Sequence, residues 1–125
     1  MEHRKILDDL FNAYTMIGRG NYVSIYDVLG NMFRFSPAFV ELFGLEGEYI
    51  SGDNINWENF VHPEDRFIYT RTRKNLLSGE AKGYDLNFRM RLKDGTYANM
   101  RHIGSTIFDA DGKPEFIGGV MINEG

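Results

Sequence analysis

The chain has no cysteine. Disulfides, thiolate metal sites, cysteine nucleophiles and any cofactor held through sulfur are therefore excluded. Proline is scarce, at three in 125 residues, so each one reads as punctuation: Pro37 and Pro63 suit first helical positions, and Pro114 follows a turn. No apolar run approaches the roughly 20 residues of a membrane span. A basic excess is also missing. Fourteen Lys and Arg stand against eighteen Asp and Glu, for a net charge of −4, and the cations are spread along the chain, so a nucleic-acid partner has no electrostatic support. Met1-Glu2-His3-Arg4-Lys5 leads into an amphipathic segment and does not read as a signal peptide. The cytoplasm is the default compartment. No repeat, low-complexity tract or linker interrupts the chain, and its size suits one domain with a core of its own.

The richest stretch is Phe88 to Gly125. Before Asp94-Gly95, the apolar residues Tyr84, Leu86, Phe88, Met90 and Leu92 alternate with Asp85, Asn87, Arg89, Arg91 and Lys93. This predicts a half-buried strand. A second strand from Tyr97, a turn at Asp111-Gly112 and a third strand over Phe116 to Ile122 complete a meander with one apolar, concave face. The last strand is apolar on both sides, which predicts cover on its outer face too. Gly118-Gly119 marks either a close approach by a ligand or another backbone, or a bulge.

Upstream, Ile6, Leu7, Leu10, Phe11, Tyr14 and Ile17 fall at helical spacing, predicting an amphipathic helix over 3–17 that ends at Gly18 and Gly20. Its stripe suits its own domain, a dimer seam with a second copy of the chain, or a signalling helix. Tyr22 to Val28 and Phe33 to Phe35 are strands joined by a turn at Leu29-Gly30-Asn31. Ser36-Pro37 opens a helix that stops at Gly44. A loop over 46–56, one helical turn from Trp57 to Val61, and a helix from Pro63 to about Leu77 follow.

These features resemble a PAS domain with its trailing PAC segment, from Gly20 onward. The residues carrying the likeness are Asp27-Val28-Leu29-Gly30, then Ser36-Pro37-Ala38-Phe39 through Phe43-Gly44-Leu45, then Trp57 through His62-Pro63-Glu64-Asp65-Arg66. Arg89 through Asp94-Gly95-Thr96-Tyr97, and Asp109 through Pro114 with Phe116 to Gly119, complete it. The resemblance implies an α+β fold: a five-stranded antiparallel sheet of order 2-1-5-4-3, with short helices on one face and the N-terminal amphipathic helix besides. Residues 1–20 form a cap and 21–125 the PAS domain. It also implies a sensory, non-catalytic module attached to an output domain, a histidine kinase or a cyclic-di-GMP enzyme. The family's coupling tail is an Asp-Ile/Val-Thr run. Asn123, Glu124 and Gly125 stand at the matching positions.

Family register and the alternation together place a candidate pocket on the inner face. Its residues are Phe88 and Met90 from the first strand of the meander, Met100, His102 and Thr106 from the second, and Met121 from the third. Ile68, Tyr69 and Thr72 come from the long helix, and Trp57 and Phe60 from the short turn. Leu92, Gly104, Ile117, Gly119 and Leu76 share those faces. The lining is apolar with few polar groups, as small-molecule sites are. Simple core filling explains the same composition, and His102 reads equally as a core histidine with a partner. Three isolated histidines make no metal site.

By the same resemblance, cysteinyl-flavin and coumarate chemistry both need the missing cysteine. Haem is held by a histidine in the long helix; Pro63 to Leu77 has none, so haem is not expected unless His102 serves. Non-covalent flavin stays open. Three functions compete. They are a ligand-sensing module, a homodimerisation module acting through the N-terminal helix and outer sheet face, and, distantly, a small isomerase-type enzyme with His102 as its one candidate base.

Overall fold

Two Asp-Gly turns organise the C-terminal half of the molecule, here a computed structural model that describes residues 2–18 and 21–125. At the first, Gly95 takes φ +88°, in the left-handed region, and its N–H donates to the Leu92 carbonyl at 2.9 Å. Asp94 Oδ1 accepts from the Thr96 N–H. At the second, Asp109 Oδ1 accepts from the N–H groups of Asp111 and Lys113. These turns close β4 (Gly83–Arg91), β5 (Tyr97–Phe108) and β6 (Pro114–Asn123) into an antiparallel meander.

β6 continues into β1 (Tyr22–Asp27), and β1 into β2 (Met32–Phe35). The β1–β2 turn is made at Asn31, which has φ +50°, and the Gly30 N–H donates to Asp27 Oδ1 at 2.9 Å. The expected five strands become six. Tyr49–Ser51, expected as loop, forms β3 by pairing with β2, so the sheet order is β3-β2-β1-β6-β5-β4 and not 2-1-5-4-3. The reason lies in packing. Ile50 drops into the core opposite Phe33, and the Phe35 N–H finds the Glu48 carbonyl at 2.7 Å.

Helix α2 (Pro37–Phe43) has proline in its first turn and ends at Gly44, φ +69°. Ser36 precedes it but does not cap it. Its hydroxyl instead accepts from the Val23 N–H at 3.2 Å, tying the helix start to β1. A 3-10 turn at Trp57–Phe60 and a second at Pro63–Asp65 lead into α3 (Arg66–Ser78). The long helix thus begins α-helically three residues later than its proline, because His62 Nδ1 accepts from the Glu64 N–H and shapes a tighter first turn.

Side chains split between the two faces of the sheet with period two. The inner face buries Phe33, Phe35, Phe88, Met90, Met100 and Met121 against α2, the 3-10 turns and α3. The outer face carries Val23, Ile25 and Phe116, and α1 (Glu2–Gly18) covers them with Leu7 and Phe11. The amphipathic stripe therefore packs on its own sheet. The expected helix stop at Gly20 lies outside the described residues. Polar groups hold α1 in place: Arg34 Nη1 donates to Asp8 Oδ1 at 2.7 Å, the Tyr49 hydroxyl donates to the same oxygen at 2.9 Å, and the Arg34 guanidinium lies 4.0 Å from the Phe11 ring centre.

Candidate functional site

The inner face is not filled evenly. Under α2 it is a packed ladder of rings: Phe35, Phe39, Phe43, Trp57 and Phe60 stand with centroids 4.8–5.8 Å apart. Under α3 it is looser. There a cavity of about 110 Å³ lies between the helix and the middle of the sheet. Tyr69, Thr72, Arg73 and Leu76 line it from α3. Their spacing of i, i+3, i+4, i+7 is one face of a helix. Tyr84, Leu86 and Phe88 line it from β4, His102 from β5, and Ile117, Gly119, Val120 and Met121 from β6. Ser24, Tyr26 and Phe33 close the β1–β2 side, with Phe39 and Trp57 at the packed end.

Two glycines let the strands at the floor of the cavity approach closely. Tyr84, Gly104 and Gly119 are direct neighbours across β4, β5 and β6. A methyl group on Gly104 would strike the Tyr84 phenol, and one on Gly119 would strike the Ile103 carbonyl and Gly104 Cα. Within the doublet, Gly119 thus answers the close approach of another backbone, and Gly118 lies against the Ile25 side chain. The bulge reading fails, because the only register shift between β5 and β6 falls at Ile107/Phe108.

His102 is the polar centre of the sheet side. Its ring stacks on Phe88 with centroids 3.8 Å apart and planes 11° apart. Its Nε2 is shielded from solvent and has no hydrogen-bond partner in the protein. Burial drives its pKa down to about 3, so the imidazole is neutral across the physiological range. Burial likewise pushes the Tyr84 phenol well above its usual range. Burial also raises the Tyr69 phenol, and the Arg73 guanidinium opposes that rise. Arg73 is half-buried, with its guanidinium carbon 5.2 Å from the Tyr26 ring centre.

An ion-pair cluster fixes one end of the helical wall. Asp65 accepts from the Arg89 backbone N–H at 2.8 Å and from Nε and Nη2 of the same residue at 2.9 and 3.0 Å. Those bonds hold the Asp65 carboxyl below the usual carboxylate range. The start of α3 is thereby pinned to β4, while Leu76 is buried near the other end and Gly79, φ +84°, ends the helix.

Of the expected pocket residues, Trp57, Tyr69, Thr72, Phe88, His102 and Met121 line the cavity. Five do not. Ile68 is 47% exposed, because the helix face toward the sheet runs through Tyr69 and Arg73 and leaves Ile68 turned to solvent. Met90 and Met100 are fully buried in the packed half, and Phe60 meets Phe43 edge-on and leans on Trp57 there. Thr106 is buried on the inner face beyond the cavity, its hydroxyl without a partner. Ser24, Tyr26, Phe33, Phe39, Arg73, Tyr84, Leu86 and Val120 were not foreseen as lining. Following the β4 alternation two steps back from Phe88 reaches Leu86 and Tyr84, and the helical spacing from Tyr69 reaches Arg73. Nothing local marks Ser24 and Tyr26.

The profile of the PAS fold family matches residues 32–121, most of the chain. The chain is a member of the PAS fold family. Solved structures agree on the fold of this PAS domain. A sensory box histidine kinase/response regulator from Burkholderia thailandensis is similar at 19% identity, covering 91% of this chain and 83% of that one with a TM-score of 0.70. The N-terminal domain of a diguanylate cyclase with a PAS/PAC sensor from Marinobacter aquaeolei is similar at 21% identity, with coverage of 82% and 94% and a TM-score of 0.67. A light-oxygen-voltage protein from Rhodobacter sphaeroides matches at 13% identity over 100% of this chain and 69% of that one, with a TM-score of 0.70. No curated protein matches the sequence. Among the described residues no helix is long and apolar enough to cross a membrane, and no group of three or more metal-ligating side chains gathers.

Proposed function

We propose that this PAS domain is a sensory module without catalysis of its own, which binds a small ligand between α3 and the inner sheet face and relays its presence to an attached output domain. A histidine kinase or a cyclic-di-GMP enzyme fits that role, by analogy with the signalling proteins that contain its structural neighbours. The observation that carries the reading is His102. A shielded nitrogen with no protein partner, in the wall of a cavity, is a costly arrangement unless something supplies the missing hydrogen bond. The surroundings fit a ligand: aromatic walls, with Thr72, Tyr84 and Arg73 as sparse polar groups.

Size limits the ligand. A cavity of about 110 Å³ is far below the roughly 300–1,000 Å³ of sites for drug-sized molecules. Non-covalent flavin belongs to this proposal only with α3 displaced outward. A homodimer through α1 and the outer face belongs to it only where a second copy's helix replaces the chain's own, since Leu7 and Phe11 are already buried.

Trp57 is the single tryptophan and lines the cavity, so its emission reports occupancy. The purified protein is titrated with a panel of small ring compounds, following Trp57 fluorescence and Tm, with absorbance to detect a retained chromophore. A saturable emission change accompanied by a rise in Tm of several degrees is expected, since a ligand at about 100 times its Kd adds about 2.7 kcal/mol. A protein that carries no ligand and answers none of the panel contradicts the reading.

A further inference from the structure

The proposed ligand site has a charge preference built into its helical wall. We infer that it selects a single-ring aromatic carboxylate, with the ring between the sheet and α3 and the carboxylate at Arg73. This rests on the reading of the cavity as a ligand site and names the class of its ligand.

The ring follows from volume and lining. A dry cavity of about 150 Å³ holds benzene; this one, at about 110 Å³, is smaller, so one ring is the upper limit and it enters with α3 giving slightly outward. Its walls already show the geometry a ring would extend: His102 stacks on Phe88, Tyr69 meets Phe88 edge-on at 5.7 Å, and Tyr26 leans on Phe33 at 4.5 Å. A further ring among these faces makes offset or edge contacts of the favoured kind.

The charge follows from Arg73. Three guanidiniums of this domain are matched by carboxylates, Arg34 by Asp8, Arg89 by Asp65 and Glu64, and Arg101 by Asp85, while Arg66 donates to the Val61 carbonyl and Arg91 lies over the Phe60 ring, away from the cavity. Arg73 lines the cavity and, among the described residues, forms no ion pair with a carboxylate. Its contacts are the Tyr26 ring and the Tyr69 phenol. Glu58 is the acidic residue on the adjoining cleft, which Arg73 also lines. A half-buried guanidinium held over an aromatic face, with its fork unmatched, presents the donors that bind a carboxylate in two-point fashion. The neutral His102 ring adds one hydrogen bond and no charge, so it imposes no second anion site. The walls hold no Asp or Glu, and an amine ligand would meet Arg73 without compensation.

The test compares benzoate with benzyl alcohol, a neutral ring of similar size, by calorimetry on the wild type and on Arg73→Gln. Arg73 is half-buried, and the thermal melt of R73Q without ligand establishes that it folds. Benzoate is expected to bind the wild type roughly 10- to 100-fold tighter than benzyl alcohol, and R73Q is expected to bring the two within about threefold of one another. Equal binding of both rings to the wild type overturns the anion preference while leaving the ligand site standing. A benzoate preference that survives in R73Q overturns the assignment to Arg73. Failure of both rings to bind the folded wild type removes the ligand site itself, and this inference with it.

Discussion

Single residues set the character of the cavity, and His102 sets its pH response. The folded domain keeps this imidazole neutral down to about pH 3, whereas the unfolded chain takes up a proton near pH 6.5. Between those values the unfolded state binds the extra proton. The group's effect on stability is therefore absent above pH 6.5 and grows unfavourable as pH falls toward 3. Urea unfolding between pH 7 and pH 4 is expected to show stability falling with a slope approaching about 1.4 kcal/mol per pH unit from this group. His102→Phe removes that slope; an unchanged slope in H102F contradicts the burial of a neutral ring. Gly119 is the second test at this scale. Gly119→Ala is expected to cost about 2–3 kcal/mol in urea unfolding, because the new methyl meets β5 backbone and not a side chain that can turn aside. Gly47→Ala, with open space around the position, is the control and should stay within about 0.5 kcal/mol. The sequence doublet at Gly118-Gly119 announced a close approach but not its source, since the backbone that crowds Gly119 belongs to Ile103 and Gly104 on the neighbouring strand.

At the scale of elements, what was legible depended on how local the cause was. The β4–β5 and β5–β6 hairpins were readable because their turns need a left-handed glycine, and Gly95 and Gly112 supply it. Helix α2 was readable from Pro37 and Gly44. Strand β3 was not. Its three residues sit among Gly, Asp and Asn, and only the distant edge of β2 makes them a strand. Strand β1 was legible as a strand but not in its facing. Its apolar residues Val23 and Ile25 point outward under α1, and its inner residues are Tyr22, Ser24 and Tyr26. A sheet covered on both faces does not reveal by polarity which side lines the site. The cover itself is testable. Phe11→Ala should cost about 3–5 kcal/mol, as burial beneath an aromatic ring is lost. Amide exchange should then quicken in α1 and along β1 first. Loss confined to α1, with no change in global unfolding, would mean that the helix contributes nothing to the sheet beneath it.

For the whole molecule, the two faces divide the work. The outer face is closed by α1 through Leu7, Phe11 and the Asp8–Arg34–Tyr49 contacts. The inner face is packed solid under α2 and loosened under α3, whose start is pinned to β4 by Asp65 and Arg89. A ligand entering beneath α3, as proposed, would press on that helix and on β4, β5 and β6 together. The most direct measurement is a benzoate titration of the isotope-labelled protein followed by NMR. The account predicts saturable shifts concentrated at Thr72, Arg73, Tyr84, His102 and Gly119, with the α1 face at Leu7 and Phe11 unmoved. Shifts spread over the outer face, or none at the His102 ring at saturation, would contradict it.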